Sequence, residues 1–471
     1  MKGAVYALWL LAAMIPCRAG ASDAHDEPAL LAAWRGVVAQ SPEYAAARAR
    51  RDMGSAAQSA ARALWMPTLS AQGGIGLRTL RSETTGAQFS APGFGTSDGV
   101  DFRTHINDGT ARQWAFVLQQ PLLDAGRVAD TRLSMARARM AEAQFRRAEQ
   151  GLMVRTAQSL AAVVEADARF RALRRQHEAA ARARDTAQAR YEEGDIPVTD
   201  WREAEARLDE LAVHELDARQ ALAVASADFT DLTGLSPPAS EAQAPPAEDV
   251  APAAIDGSLN DWLQKARNSS PALALQAGQL ELAQAEARRW SRLDGFQLNV
   301  VGQYGSDRLS GSGDYGTSGI TNRVASIGLQ ASVPLFTGGM RAAQRSAAQA
   351  GERAAEADLE SARQQVALAT RTAWLAASTA HARLQAQRRV KLSADSRLDA
   401  TRIGFDSGAR TLLDLLSAEG SALQAEADLA RARCAGLISI LRLSEAAGTL
   451  DAGSMEAAVR GEFACGGFQE R

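Results

Sequence analysis

Residues 401–433 read TRIGFDSGARTLLDLLSAEGSALQAEADLARAR. An alanine-rich helical pattern runs into this stretch and stops near Phe405. Gly408 then supplies a position where φ can be positive at no steric cost. Thr411 stands three residues before Asp414, the spacing of an N-terminal capping box with an acid at the positive helix end. The stretch is therefore the turn of a helical hairpin. A second copy, RYEEGDIPVTDWREAEARLDELAVHELDAR, begins at Arg190 and sets Gly194 and Asp200 as far apart as Gly408 and Asp414. Two such hairpins mean an internal repeat.

Working outward, the two halves keep the same order. Helical pattern from Pro28 to about Leu64, broken at Ser41-Pro42, is answered by Leu259 to Trp290, broken at Ser270-Pro271. Strict alternation follows each. Leu69, Ala71, Gly73, Ile75 and Leu77 oppose Thr68, Ser70, Gln72 and Gly74, while Phe296, Leu298, Val300 and Tyr304 oppose Gln297, Asn299 and Gln303. Such alternation predicts strands with one apolar and one polar face. Gly/Ser/Thr-rich loops are expected over 78–110 and 305–321. The returning strands carry Trp114, Phe116 and Leu118 against Gln113, Val117 and Gln119, and Ala325, Ile327, Leu329, Ala331 and Val333 against Ser326, Gly328, Gln330 and Ser332. Both are expected to stop at a proline, Pro121 or Pro334, because proline cannot donate within a central strand. Helical runs over about 128–190 and 341–404 come next, each a rod of ~95 Å at 1.5 Å per residue. Return helices end near Gly234 and Gly448.

The boundaries expected are a signal peptide over 1–21, a first repeat over 22–234, a proline-rich linker over 235–257, a second repeat over 258–448 and a loosely packed tail over 449–471. Lys2 followed by AVYALWLLAAMI and small residues to Ala21 is a secretory pattern, too short to span a bilayer. Cys434 and Cys465 would then remain; Cys434 lies on a predicted helix and Cys465 in the tail, so free thiols are expected. In the whole 471-residue chain, net charge −3 with acids and arginines interleaved describes solvated helix faces rather than a nucleic-acid surface.

The strands have the length and alternation of outer-membrane barrel strands. Every backbone polar group in lipid must be paired, and the smallest barrels need about eight strands, so four strands per chain must close by oligomerisation. Alanine stripes such as Ala136, Ala138, Ala141 and Ala143 suit close helix packing, and the Arg/Glu/Gln coverage suits water on more than one side. Periodicity alone leaves a hollow wall and a solid bundle both open. Trp114 and Phe116 are expected to face lipid.

VPLFTGGM, FDSGARTLLDLLSAE and LARAR in the second half, with QQPLLDAGR and YEEGDIPVTD in the first, make the chain resemble the TolC family of outer-membrane channel proteins. The resemblance covers nearly the whole mature chain and is greatest to CyaE-type members, which serve type I secretion of an RTX adenylate cyclase toxin. It implies a mixed fold: a twelve-stranded transmembrane β-barrel completed by a homotrimer, above a periplasmic α-barrel of helical hairpins. It further implies docking of the turns at Gly194 and Gly408 on a periplasmic adaptor and an inner-membrane ABC transporter. Passive conduction of an exported protein is the function implied; small-molecule or metal efflux is the alternative, and a periplasmic adaptor or scaffold a more distant one. By position, Asp414 would form a carboxylate ring at the closed aperture, and Arg410 and Arg433 would latch to Thr199 and Asp200. Phe405 stands where a tyrosine is usual and removes a latch hydroxyl. The family's second acid is here Ser417, so three carboxylates would replace six and block by multivalent cations would be weaker.

His25, His105, His177, His214 and His381 show no ligand spacing, no CxxC occurs, and no phosphate-binding loop follows a strand, so neither enzyme chemistry, a metal nor a cofactor is expected.

Overall fold

The computed structural model describes residues 28–93, 95–237, 257–290, 295–314 and 316–460. The expected signal peptide and nearly all of the linker lie outside them. In chain order the elements are α1 (Ala29–Gln40), α2 (Pro42–Ala63), β1 (Thr68–Ala91), β2 (Gly95–Asp124), α3 (Ala125–Glu192), α4 (Val198–Thr233), α5 (Leu259–Ser269), α6 (Pro271–Arg289), β3 (Gln297–Gly313), β4 (Gly316–Ser332), α7 (Met340–Asp406), α8 (Leu412–Ala447) and α9 (Ala452–Arg460). The duplication is close in the helices: α3 and α7 have 68 and 67 residues, and α4 and α8 have 36 each.

The helices form a layer one helix thick. Towards the turns the lateral order is α4–α3–α8–α7; towards the sheet, α2 flanks α3 and α6 lies between α3 and α7. A solid four-helix bundle would bring α4 against α7, and these two share no substantial contact. Sequence left that choice open; packing decides for a wall. Small residues set the spacing. A Cβ on Gly54 of α2 would lie 2.4 Å from the Ala141 methyl, and one on Gly278 of α6 would lie 2.4 Å from Met140. Ala136 and Ala143 of the alanine stripe are buried.

At mid-length a belt of short helices closes over the wall. Leu30, Ala33, Trp34 and Val37 recur at one-turn spacing on α1 and pack with Leu152, Leu160, Phe229, Leu384, Leu437 and Leu441. Each of the leucine, valine and phenylalanine side chains contributes roughly 1.5–3 kcal/mol on full burial, so the rods are anchored here. Two expectations fail at this belt. The first part of the tail is a packed helix: Asp451 and Ser454 cap α9 reciprocally, and Met455 is 0% exposed against the same cluster. Cys434 faces this cluster and is disulfide-bonded, so it is not a free thiol; its partner lies outside the described residues. The chain folds back after Gly448 and brings the tail onto α8. Linear distance from the helix hid that contact.

The sheet has order β1-β2-β3-β4, antiparallel throughout, with β1 and β4 as edges. The predicted loops over 78–110 and 305–321 are not loops. The strands run 24, 30, 17 and 17 residues and stay paired out to Ala91 opposite Gly95 and Gly313 opposite Gly316. Only ~9–11 residues are needed to cross a bilayer. Beyond that belt strict apolar alternation stops while backbone pairing continues, joined by cross-strand ion pairs such as Arg103–Glu83 at 2.8 Å. Pro121 also does not end β2. It sits beside a register shift between Pro121 and Leu123, where a missing N–H is tolerated, and the strand reaches Asp124, which caps α3 by accepting from the Arg127 N–H at 3.2 Å. Pro334 does follow its strand, two residues after Ser332.

Candidate functional site

The turn of the second hairpin is built by glycine and a reciprocal cap. Gly408 has φ 75°, and the Ala409 and Arg410 N–H groups donate back to the Gly404 carbonyl at 2.8 and 3.1 Å. A Cβ on Gly404 would lie 2.7 Å from Arg410 Cγ, so the glycine lets that arginine fold over the turn. The Thr411 N–H donates to Asp414 Oδ2 at 3.1 Å, and Thr411 Oγ1 accepts from the Asp414 N–H at 3.1 Å. The backbone bond first, then the Thr411 side chain, with the Arg410 charge contributing least, hold the Asp414 carboxyl below its ordinary range. It stays ionised at neutral pH and below.

The first hairpin has the same backbone and different chemistry. Gly194 has φ 82°, but Pro197 occupies the N-cap and offers no side-chain cap. Thr199 Oγ1 donates to Asp200 Oδ1 at 3.2 Å, and Asp200 is exposed with one carboxylate oxygen left over. Beside it Tyr191 stacks on Trp201, centroids 5.6 Å apart and planes 9° apart, and the Arg202 guanidinium lies 4.2 Å over the Trp201 ring. Sequence reasoning missed this stack. The signal was present, because Tyr191 precedes Gly194 by the spacing at which Phe405 precedes Gly408.

The two turns are level. Arg175 and Glu426, nearly equidistant from Gly194 and Gly408 along their helices, pair across α3 and α8 at 3.6 Å. Arg410, Asp414, Phe405, Thr199 and Asp200 thus lie at one end of the wall. Arg433 does not: it is 19 residues beyond Asp414 on α8, ~28 Å along the helix axis. There it is half-buried beside Arg388, and burial first and that like charge second disfavour its ionised form, although a guanidinium remains protonated. No hydrogen bond or ion pair among the described residues joins Thr199 or Asp200 to Arg410 or Arg433.

At the other end the sheet has two unlike faces. Register puts Leu69, Ala71, Leu118, Phe116, Trp114, Val300, Tyr304, Ile327 and Leu329 on one side. Trp114 packs edge-on against Phe116 and Tyr304, at 5.8 and 5.6 Å, and all three are about half exposed. The opposite face carries Thr68, Ser70, Gln72, Gln113, Gln119, Gln303, Ser326 and Gln330. On that side Arg78 of β1 reaches Asp307 of β3 at 2.9 Å, and Ile106 and Leu309 are 0% exposed. The sheet therefore curls with its polar face inside. Among the described residues no helix is long and apolar enough to cross a membrane.

Residues 36–235 and 262–449 match the family model described as outer membrane efflux protein. The outer membrane protein TolC of Vibrio cholerae is 29% identical over 67% of this chain and 71% of its own length. The alkaline protease secretion protein AprF of Pseudomonas aeruginosa is 29% identical over 72% of this chain and 70% of its own. Among solved structures, the CmeC outer membrane channel of Campylobacter jejuni superposes with a TM-score of 0.68 over 90% of this chain and 87% of that one, at 16% identity.

Proposed function

The chain belongs to the outer membrane efflux protein family, and from that premise we propose that three copies form a channel-tunnel for type I export of a protein of the RTX-toxin class. Its place is the outer membrane, with the helices in the periplasm. The observation that carries the reading is a curled four-stranded sheet, apolar outside and polar inside, with two open edges and a wall of helices one layer thick beneath it. In lipid those edges must be paired, and β1 of one copy against β4 of the next satisfies them. Three copies give twelve strands and a continuous helical tube.

The relative named for alkaline protease secretion supports a protein cargo over a small molecule. The tube works passively. An inner-membrane ABC transporter supplies the energy, and a periplasmic adaptor grips the turns at Gly194 and Gly408. The Tyr191–Trp201–Arg202 stack is the adaptor anchor at the first turn, since tyrosine, tryptophan and arginine dominate such contacts.

At rest, three copies of Asp414 ring the aperture. Arg410 latches across the protomer boundary to Asp200, whose free carboxylate oxygen and exposed position suit an external partner. Arg433 belongs to a separate contact at mid-wall, because ~28 Å exceeds the reach of any side chain. Opening splays the two turns and breaks the Arg410–Asp200 pairs. Planar-bilayer conductance of the purified oligomer tests the reading. Discrete channels with a larger open state in Arg410→Ser are expected; a folded oligomer that never conducts would leave the chain a scaffold.

A further inference from the structure

Three arginines lie on the lipid-facing side of the sheet, and neither the conduit nor the gate uses them. Arg112 of β2 is directly opposite Arg308 of β3, and Arg323 of β4 is opposite Ser306, two residues from Arg308 on the same face. All three are exposed, and no ion pair or hydrogen bond among the described residues engages their side chains. Like charges directly opposite in a sheet destabilise the pair. The same face holds no carboxylate near them: the neighbouring rows are Ile75, Thr321, Leu77, Thr110, Ser310 and Gly319.

Their height is equally informative. The apolar belt extends to Leu77 on β1, Trp114 on β2, Tyr304 on β3 and Ala325 on β4. Its margin slants across the strands, as barrel strands tilted ~35–45° require. Arg112, Arg308 and Arg323 sit just past that margin, on the side of the strand turns and away from the helices. Charged side chains are costly at the membrane midplane and cheap at its interface. With the helices periplasmic, this interface is the outer one.

We propose that Arg112, Arg308 and Arg323 form a docking site for the phosphate groups of the outer-leaflet glycolipid, lipid A. Two guanidinium groups opposite one another and a third diagonal to them can share one phosphate through forked, charge-assisted hydrogen bonds. Trp114, Phe116 and Tyr304, immediately below, meet the first segments of the acyl chains. The bound anion removes the repulsion between Arg112 and Arg308.

The test uses the full-length oligomer in detergent with bisphosphorylated lipid A, the same lipid with its phosphates removed, and sodium phosphate. Bound lipid is counted by native mass spectrometry, and the temperature at which the oligomer dissociates is followed on gels. The phosphorylated lipid is expected to bind about tenfold more tightly than the dephosphorylated form and to raise the dissociation temperature. Arg112→Gln, Arg308→Gln and Arg323→Gln combined should abolish that preference, and the three Lys replacements should retain most of it. Arg103→Gln, which removes a partner of Glu83 beyond the belt, should leave it unchanged. Equal binding of the two lipids by the wild-type oligomer would overturn the assignment even if the triple variant fails to assemble. So would millimolar phosphate matching the lipid's effect, which would make this a site for a free anion. Lipid retention does not depend on conductance, so this test stands apart from that of the export reading.

Discussion

Asp414 and Asp200 occupy equivalent places after Gly408 and Gly194, yet only Asp414 is held by a capping box. Its carboxyl is depressed by bonds made in the folded state. A depressed acid contributes stability above its unfolded pKa, and that contribution is lost as pH falls through the lower folded value. Cation block at the proposed ring should therefore persist as pH drops through the ordinary aspartate range and fade only below it; bilayer recordings across that interval read this out. Asp414→Ala should weaken block wherever the wild-type carboxyl is ionised, and channels blocked as before would leave Asp414 a helix cap alone. Trp201→Ala removes the centre of the Tyr191–Trp201–Arg202 stack without touching a core side chain. A loss of about 2 kcal/mol in adaptor affinity, roughly thirtyfold, is expected by titration calorimetry.

At the scale of the elements, the glycines that end helices are not equivalent. A Cβ on Gly408 meets nothing within 4 Å, so Gly408→Ala carries only the cost of positive φ, roughly 1–2 kcal/mol. Gly448 has φ 72° and a Cβ there would lie 2.3 Å from the Ser269 carbonyl oxygen, where α8 abuts α5. Gly448→Ala should therefore lower the unfolding midpoint clearly more than Gly408→Ala, measured in urea by circular dichroism. Element type and order were legible because proline, glycine and period-two alternation mark them locally. Strand lengths were not. The outer halves of β1–β4 lack strict apolar alternation, and the backbone pairing that continues there leaves no residue code.

For the whole molecule, stoichiometry is the decisive property. Native mass spectrometry in detergent should find an assembly of about three times the mass of one chain, which is 49.8 kDa at full length. Unheated gel samples should migrate as that oligomer. A stable monomer would contradict the edge-pairing argument, since β1 and β4 would then expose unpaired backbone to lipid.

Sequence by itself determined the duplication, the helical hairpins, the capping box at Asp414 and the two-faced strands, because each is written in spacings within a few residues. Only the tertiary structure decided that the helices form a single-layer wall and that Cys434 is bonded and buried beneath a returning tail. It also brought Arg112, Arg308 and Arg323 together from three strands. These outcomes depend on which distant segments meet. An alanine-rich helix with polar residues all round fits a wall or a bundle equally well until its neighbours are in place.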